Sequence, residues 1–258
     1  MKSFQTISFI GGGRITRIFL QGLLNKNALS ENIKVYDPNE ETINALKEKF
    51  PTIESVSSLA KAAKNDIVFI AVHPPVVMEI LQSIKDTVSE STIVISLAPK
   101  ITLEKMASVL STKKLVRMIP NATSLINEGF NPVIFASDFV KKEKKQLLKF
   151  LKKLGKTFET EEPKLESYAI ASAMLPTYFW FQWQEVEKVA TEIGLTPEEA
   201  QKAVSSSLKK ARKLYYKSGL NPAEVMDLIP VKPIGENEPE IKSILNSKLT
   251  GLFGKIKP

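Results

Sequence analysis

The chain contains no cysteine, which removes disulfides, thiolate metal sites and cysteine nucleophiles together. Histidine occurs once, as His73. Paired-histidine metal centres are therefore excluded, and a serine–histidine–acid triad would have to use that one imidazole. No metal site is expected. Long apolar runs are also scarce. The one uncharged stretch approaching the ~20 residues that span a bilayer is Ser167–Gln184, SYAIASAMLPTYFWFQWQ. It holds Pro176, Thr177, Gln182 and Gln184, and Glu166, Glu185 and Glu187 flank it. A helix buried on most sides within a protein assembly is expected there, and no membrane partner. Met1–Gln5 is polar, and three glycines interrupt the apolar stretch after it, which is not the form of a leader peptide. With neither span nor leader, the expected location is the cytoplasm.

The 258 residues are 43% hydrophobic and 25% charged, an ordinary globular balance that fits one or two domains. The net charge of +8 suits an anionic partner: nucleic acid, an acidic membrane surface or a phosphorylated cofactor. The lysines, however, concentrate in KKEKKQLLKFLKKLGK, Lys141–Lys156. There Leu147, Leu148, Phe150, Leu151 and Leu154 recur at helical spacing, so the lysines read as the solvated face of a surface helix. No zinc finger, tandem base-reading helices or aromatic-and-basic platform favours nucleic acid.

Up to about Thr160 strand and helix patterns alternate as in βαβ units. Strands are predicted at Thr6–Ile10, Ile33–Tyr36, Ile67–Val72, Ile93–Leu97, Leu115–Ile119 and Val133–Ala136. Amphipathic helices are predicted at Ile15–Leu24, Glu40–Phe50, Val76–Ile84 and Leu103–Leu110, followed by the lysine-rich one. The near-continuous Val, Ile and Leu of the central strands predicts burial on both faces, hence a doubly wound, mostly parallel α/β sheet of the Rossmann type. After Thr160 the β signal stops. Long helices are predicted at Pro176–Ile193 and Pro197–Lys217, the second opened by a capping box of Thr196 and Glu199 with Pro197 at its first position. Asn221, Pro222 and Glu224 repeat that start for a short helix ending near Ile229. The three prolines of Ile229–Glu240 predict a loop, and a weak helix, Ile241–Phe253, closes the chain. The expected division is a dinucleotide-binding domain, residues 1–160, and an all-helical domain, residues 161–258.

Gly11-Gly12-Gly13-Arg14-Ile15-Thr16 falls where the first strand turns into the first helix. Gly11 permits the tight turn, and Gly13 lets backbone N–H groups approach a diphosphate at the positive end of the helix. Thr16 replaces the usual third glycine, so its branched side chain must fit a close helix–strand contact. Asp37 ends the second strand, ~20–25 residues on, where an acid accepts hydrogen bonds from the adenine ribose. Taken alone it favours NAD over NADP; Arg14 either offsets that repulsion or clasps the diphosphate. The alternative role for Asp37 is to open the Asp-Pro-Asn turn.

FIGGGRIT, VYDPNEE, DIVFIAVHPPVVMEIL and RMIPNATSLINEG, followed by a helical second domain, resemble the pyrroline-5-carboxylate reductase family in the same order along nearly the whole chain. The resemblance implies a reductase that passes hydride from NADH or NADPH to the C=N carbon of a small cyclic imino acid, completing proline synthesis. A related imine or oxo acid is the variant substrate. It also implies that Ala71-Val72-His73-Pro74 lines the nicotinamide–ribose side of the cofactor, with His73 where the family usually has lysine, and that Asn121 ends a strand beside the nicotinamide. The cofactor set is then Gly11, Gly12, Gly13, Arg14, Ile15, Asp37, Ala71, Val72, His73, Pro74 and Asn121, and the substrate set Asn121 and Ser172. No residue is assigned as catalytic. The family's Ser-Gly-Ser-Gly-Pro turn corresponds to Ser172-Ala173-Met174-Leu175-Pro176, and its Ser-Pro-Gly-Gly-Thr-Thr segment falls at Val231–Glu236, with most hydroxyls and glycines replaced. These departures predict a more apolar, narrower pocket, and a non-catalytic dinucleotide-binding interaction protein is the alternative they leave open. Tyr178, Phe179, Trp180, Phe181 and Trp183 surround a helix and exceed one buried stripe. A subunit interface is expected, in a homodimer or a ring of dimers as the resemblance implies; the alternative is an internal seam with a ligand wall.

Overall fold

The computed structural model describes Phe4, residues 6–29 and residues 32–258. Apart from Phe4, the polar start read as unlike a leader peptide lies outside them. The first unit of the chain runs to Ala173 and includes Phe253–Pro258; Met174–Leu252 forms the second.

In the first unit the chain passes through β1 (Ile7–Ile10), α1 (Arg14–Asn25), β2 (Ile33–Tyr36), α2 (Glu40–Lys49), β3 (Glu54–Ser55), α3 (Leu59–Ala63), β4 (Ile67–Ile70) and α4 (Pro74–Ile84). It continues through β5 (Ile93–Ser96), α5 (Leu103–Ala107), β6 (Leu115–Met118), β7 (Gly129–Phe135), α6 (Lys141–Leu151), β8 (Gly155–Glu159) and α7 (Leu165–Tyr168). The eight strands form one sheet ordered β3-β2-β1-β4-β5-β6-β7-β8. All pairs are parallel except β6 with β7. Strand order reverses at β1, which lies between β2 and β4, and ligands of such sheets bind at the strand carboxyl ends beside that switch point.

Both faces of the sheet are covered, which is why the central strands carry few polar residues. On one face Phe9, Phe69 and Ile95 pack with Phe19, Leu20 and Leu23 of α1 and Leu147 and Leu151 of α6. Phe9 and Phe69 stack with ring centres 4.7 Å apart, and Phe19 meets both edge-on. On the other face Ile10, Val68, Ile70 and Val94 pack with Val77, Leu81 and Ile84 of α4 and Met106 of α5. Each such side chain contributes about 1.5–3 kcal/mol on burial. The lysine-rich helix is α6, with Leu147 and Leu151 inward. The sheet extends beyond the predicted strands at both edges. Two-residue β3 is too short to leave a pattern, and β8, GKTFE, buries only Thr157.

The second unit comprises α8 (Leu175–Glu192), α9 (Pro197–Lys217), α10 (Pro222–Asp227) and most of α11 (Glu238–Ile256). Gly194, at φ +119°, lies in the turn between α8 and α9. The predicted capping boxes are present at Thr196–Glu199 and Asn221–Glu224. Ala200 is the single buried residue of this unit. No helix among the described residues is long and apolar enough to cross a membrane.

Candidate active site

The turn after β1 is held by its own backbone and by Asp37. Gly11 sits at φ +104°, a conformation that disfavours a side chain, and a Cβ there would lie 2.6 Å from the Ala71 carbonyl oxygen. Its N–H donates to the Tyr36 carbonyl at 2.8 Å. The Gly12 N–H donates to Asp37 Oδ2 at 2.7 Å, and Asp37 Oδ1 accepts from the Asn39 N–H at 2.9 Å. Asp37 thus opens the Asp-Pro-Asn turn and fixes the glycine turn with one carboxylate. Thr16 is fully buried, and its hydroxyl donates to the Gly11 carbonyl at 2.6 Å, so the residue replacing the third glycine closes the turn.

Gly13 caps α1 with its backbone alone, and Arg17 is the first residue whose N–H bonds back, to the Gly13 carbonyl. Among the described residues, the N–H groups of Gly13, Arg14 and Ile15 have no protein partner at the positive end of the helix. Gly13 and Arg14 are exposed, and nothing lies within 4 Å of where a Gly13 Cβ would stand. Open space beside unpaired N–H donors at a helix start fits a diphosphate.

Ala71–Pro74 follows β4, the neighbour of β1 across the switch point, and the Ala71 N–H donates to the Ile10 carbonyl at 2.8 Å. The two glycine-turn and Ala71 segments are therefore in direct contact. His73 is exposed and caps α4 through its carbonyl, which accepts from the Val76 N–H. Pro74 and Pro75 occupy the first two helical positions, so this helix start, unlike that of α1, offers few donors for an anion.

Asn121, beyond β6, is almost wholly buried, and its amide is engaged within the protein. Oδ1 accepts from the Thr123 N–H and hydroxyl, and Nδ2 donates to the Ser172 carbonyl at 3.3 Å. Ser172 lies in a π-helical turn, Ala169–Ala173, and its hydroxyl donates to the Tyr168 carbonyl at 2.7 Å. The two residues named for substrate are thus joined through the backbone of a turn type that recurs at functional sites. Met174 and Leu175 begin α8 in the second unit. In that unit Val231–Glu236 is a loop leading into a 3₁₀ turn, with Val231 and Ile234 exposed. It borders a cavity of about 490 Å³ lined by Ile229, Val231, Lys232, Ile234, Glu238 and Lys242, among others. Glu238 is hydrogen-bonded to Lys242, whose ammonium, with help from Lys232, holds its carboxyl below the usual range.

One buried cluster carries no signal in the sequence. Arg117 on β6 is fully buried, donates from Nη1 to Glu162 Oε1 at 2.9 Å and pairs through Nη2 with Glu166. Glu162 also accepts the Leu103 N–H and Glu166 the Lys100 N–H. The two carboxylates therefore tie β6, the segment after β5 and the start of α7 together. Partners so distant in sequence become visible only when the strands are paired.

Comparison with known proteins gives this geometry a context. A family model described as NADP oxidoreductase coenzyme F420-dependent matches residues 6–100. The pyrroline-5-carboxylate reductase of Corynebacterium melassecola is 25% identical over 252 residues, 96% of this chain and 93% of that protein. The Plasmodium falciparum pyrroline carboxylate reductase, solved with NADP bound, superposes with a TM-score of 0.77 at 22% identity, covering 99% of this chain and 95% of that one. The 1-pyrroline-5-carboxylate reductase of Streptococcus pyogenes gives a TM-score of 0.81 at 17% identity, with 98% of each chain covered.

Proposed function

We propose that this chain, a divergent relative of the pyrroline-5-carboxylate reductase family, is an NAD(P)H-dependent reductase of 1-pyrroline-5-carboxylate acting in the cytoplasm. The observation that carries the reading is the turn after β1, where Asp37 anchors Gly12 and three unpartnered N–H groups face open space. The chemistry supplied by a bound reduced nicotinamide is a hydride. Delivered to the C=N carbon, with a proton taken up at the imine nitrogen, that hydride would give proline and leave the oxidised dinucleotide. The N–H groups of Gly13, Arg14 and Ile15 hold the diphosphate, with the Arg14 guanidinium adding charge. Asp37 accepts from the adenine ribose, and Ala71–Pro74 lines the ribose on the nicotinamide side. Asn121 is supported as a positioning residue: its engaged amide fixes the backbone of Ser172, and that turn is the edge of the substrate site. Holding the imine against the nicotinamide supplies most of the rate, since a protonated imine accepts hydride with little further acid assistance.

The working form is a homodimer joined through the C-terminal helices. Support comes from the second unit, which buries Ala200 alone and exposes Phe179, Trp180, Phe181 and Trp183 along α8. The deciding experiment supplies 1-pyrroline-5-carboxylate with NADH and with NADPH, following nicotinamide oxidation together with proline formation by mass. Stoichiometric proline is the expected result. Uptake of dinucleotide with no oxidation on this imine, on related imines or on oxo acids would overturn the assignment.

A further inference from the structure

The turn that anchors the glycine loop also bears on which dinucleotide the site takes. Asp37 is fixed from both sides, its Oδ2 by the Gly12 N–H and its Oδ1 by the Asn39 N–H. It cannot swing away from an incoming anion without releasing the loop that seats the diphosphate. A carboxylate has about four lone-pair sites, so each oxygen keeps one for a ribose hydroxyl. Around it the turn offers a phosphate no cation. Pro38 has no N–H, and the Asn39 Oδ1 accepts from the Thr42 N–H as the cap of α2. The first turn of α2 carries Glu40 and Glu41, both solvent-facing. No lysine or arginine occurs between Lys34 and Lys47, and Lys34 pairs with Glu54 on the neighbouring strand at 4.0 Å. Arg14 stands at the start of α1 beside the N–H groups of that helix start, where a bound diphosphate would engage it.

We propose that the β2–α2 turn makes this protein select NADH over NADPH, with Asp37 accepting the ribose hydroxyls and Asp37, Glu40 and Glu41 together repelling a 2′-phosphate. This inference rests on the dinucleotide reading of the site and deepens it. Three carboxylates around a doubly charged phosphate, uncompensated by any cation of the turn, favour NADH by at least about tenfold.

The test is a binding measurement that needs no turnover. The full-length protein is titrated with NADH and with NADPH, and bound nicotinamide is followed by its fluorescence at two ionic strengths. NADH is expected to bind at least about tenfold more tightly, with the ratio narrowing as salt screens the exposed carboxylates. Asp37→Ser removes the hydroxyl acceptor and the fixed charge, and is expected to abolish the preference. Because that change also frees Gly12, a second variant, Glu40→Arg with Glu41→Arg, leaves both anchoring bonds in place; it is expected to bring NADPH to parity or better. Equal or tighter binding of NADPH by the unaltered protein overturns the proposal, as does a preference that neither variant moves. If neither dinucleotide binds, the proposed function itself fails, and the two failures are thus distinguishable.

Discussion

A methyl group at Gly11 would meet the Ala71 carbonyl oxygen at 2.6 Å, on a backbone already at φ +104°. Gly11→Ala is therefore expected to cost about 2 kcal/mol or more in urea denaturation, because the left-handed backbone alone costs ~1–2 kcal/mol. Gly13 is the contrasting case. Its φ is −68° and a Cβ there meets nothing, so Gly13→Ala should leave stability within about 0.5 kcal/mol. The same methyl would stand where the backbone approaches the diphosphate, and the dissociation constant for NADH should rise on the order of tenfold. Finding both variants equally unstable, or the second with unaltered NADH affinity, would remove the diphosphate from this turn.

Arg117 has the opposite character, a charge that folding has taken out of water. Arg117→Met leaves Glu166, which is 1% exposed, buried without a cation, and is expected to cost about 3–5 kcal/mol. Adding Glu166→Gln to that variant should recover part of the loss, since a neutral amide still accepts from the Lys100 N–H; no recovery in urea melts would mean the pair is not the cause. These residues also mark what could be read in advance. Gly11, Asp37 and Thr16 announce themselves because their partners follow from one βα turn and the strand beside it. Arg117 does not, because its partners lie 45 and 49 residues away. Asn121 was readable as a polar group at a strand end, whereas the internal engagement of its amide depends on where the 169–173 turn comes to rest.

Among the elements, α9 shows how much of its start lies in three residues. Thr196 accepts from the Glu199 N–H, while the Glu199 carboxylate accepts from the Thr196 N–H at 2.9 Å. Loss of this cap in Thr196→Ala is expected to cost about 1 kcal/mol. Hydrogen bonds from Thr196 hold the Glu199 carboxyl below its ordinary range. A carboxyl depressed in the folded state stabilises fully above its unfolded value and loses that effect as pH falls through the folded one. Acid titration of the Glu199→Gln variant should therefore lack one stabilising contribution at neutral pH that the unaltered protein sheds in acid. The β elements divide by burial. Ile67–Ile70 and Ile93–Ser96 are buried throughout and legible as apolar runs, although the strands stop before Val72 and Leu97, where the chain leaves the sheet for its carboxyl-end loops. At the edge, β8 alternates too weakly to show, and only its register with β7 defines it.

At the scale of the whole molecule, the two units differ in how they are held together. The first has a sheet with a packed cluster on each face. The second has four helices and one buried residue, Ala200, with Trp180, Phe181, Tyr216 and Ile193 between 48% and 79% exposed. A helical unit of this size cannot offset its conformational entropy without burying such side chains. The proposed second copy of the chain would meet that requirement, because a two-fold interface presents the same apolar face from each side. Light scattering at micromolar concentration should accordingly give at least twice 28.7 kDa. The melting temperature should rise with protein concentration, since association stabilises only the folded form. Replacing Trp180 and Phe181 by glutamate should release monomers that lose helical circular dichroism from the second unit. NADH binding should persist in them, because the glycine turn belongs to the unit with its own core. A monomeric mass for the unaltered protein, with the second unit fully helical, would mean that these helices find their cover within one chain.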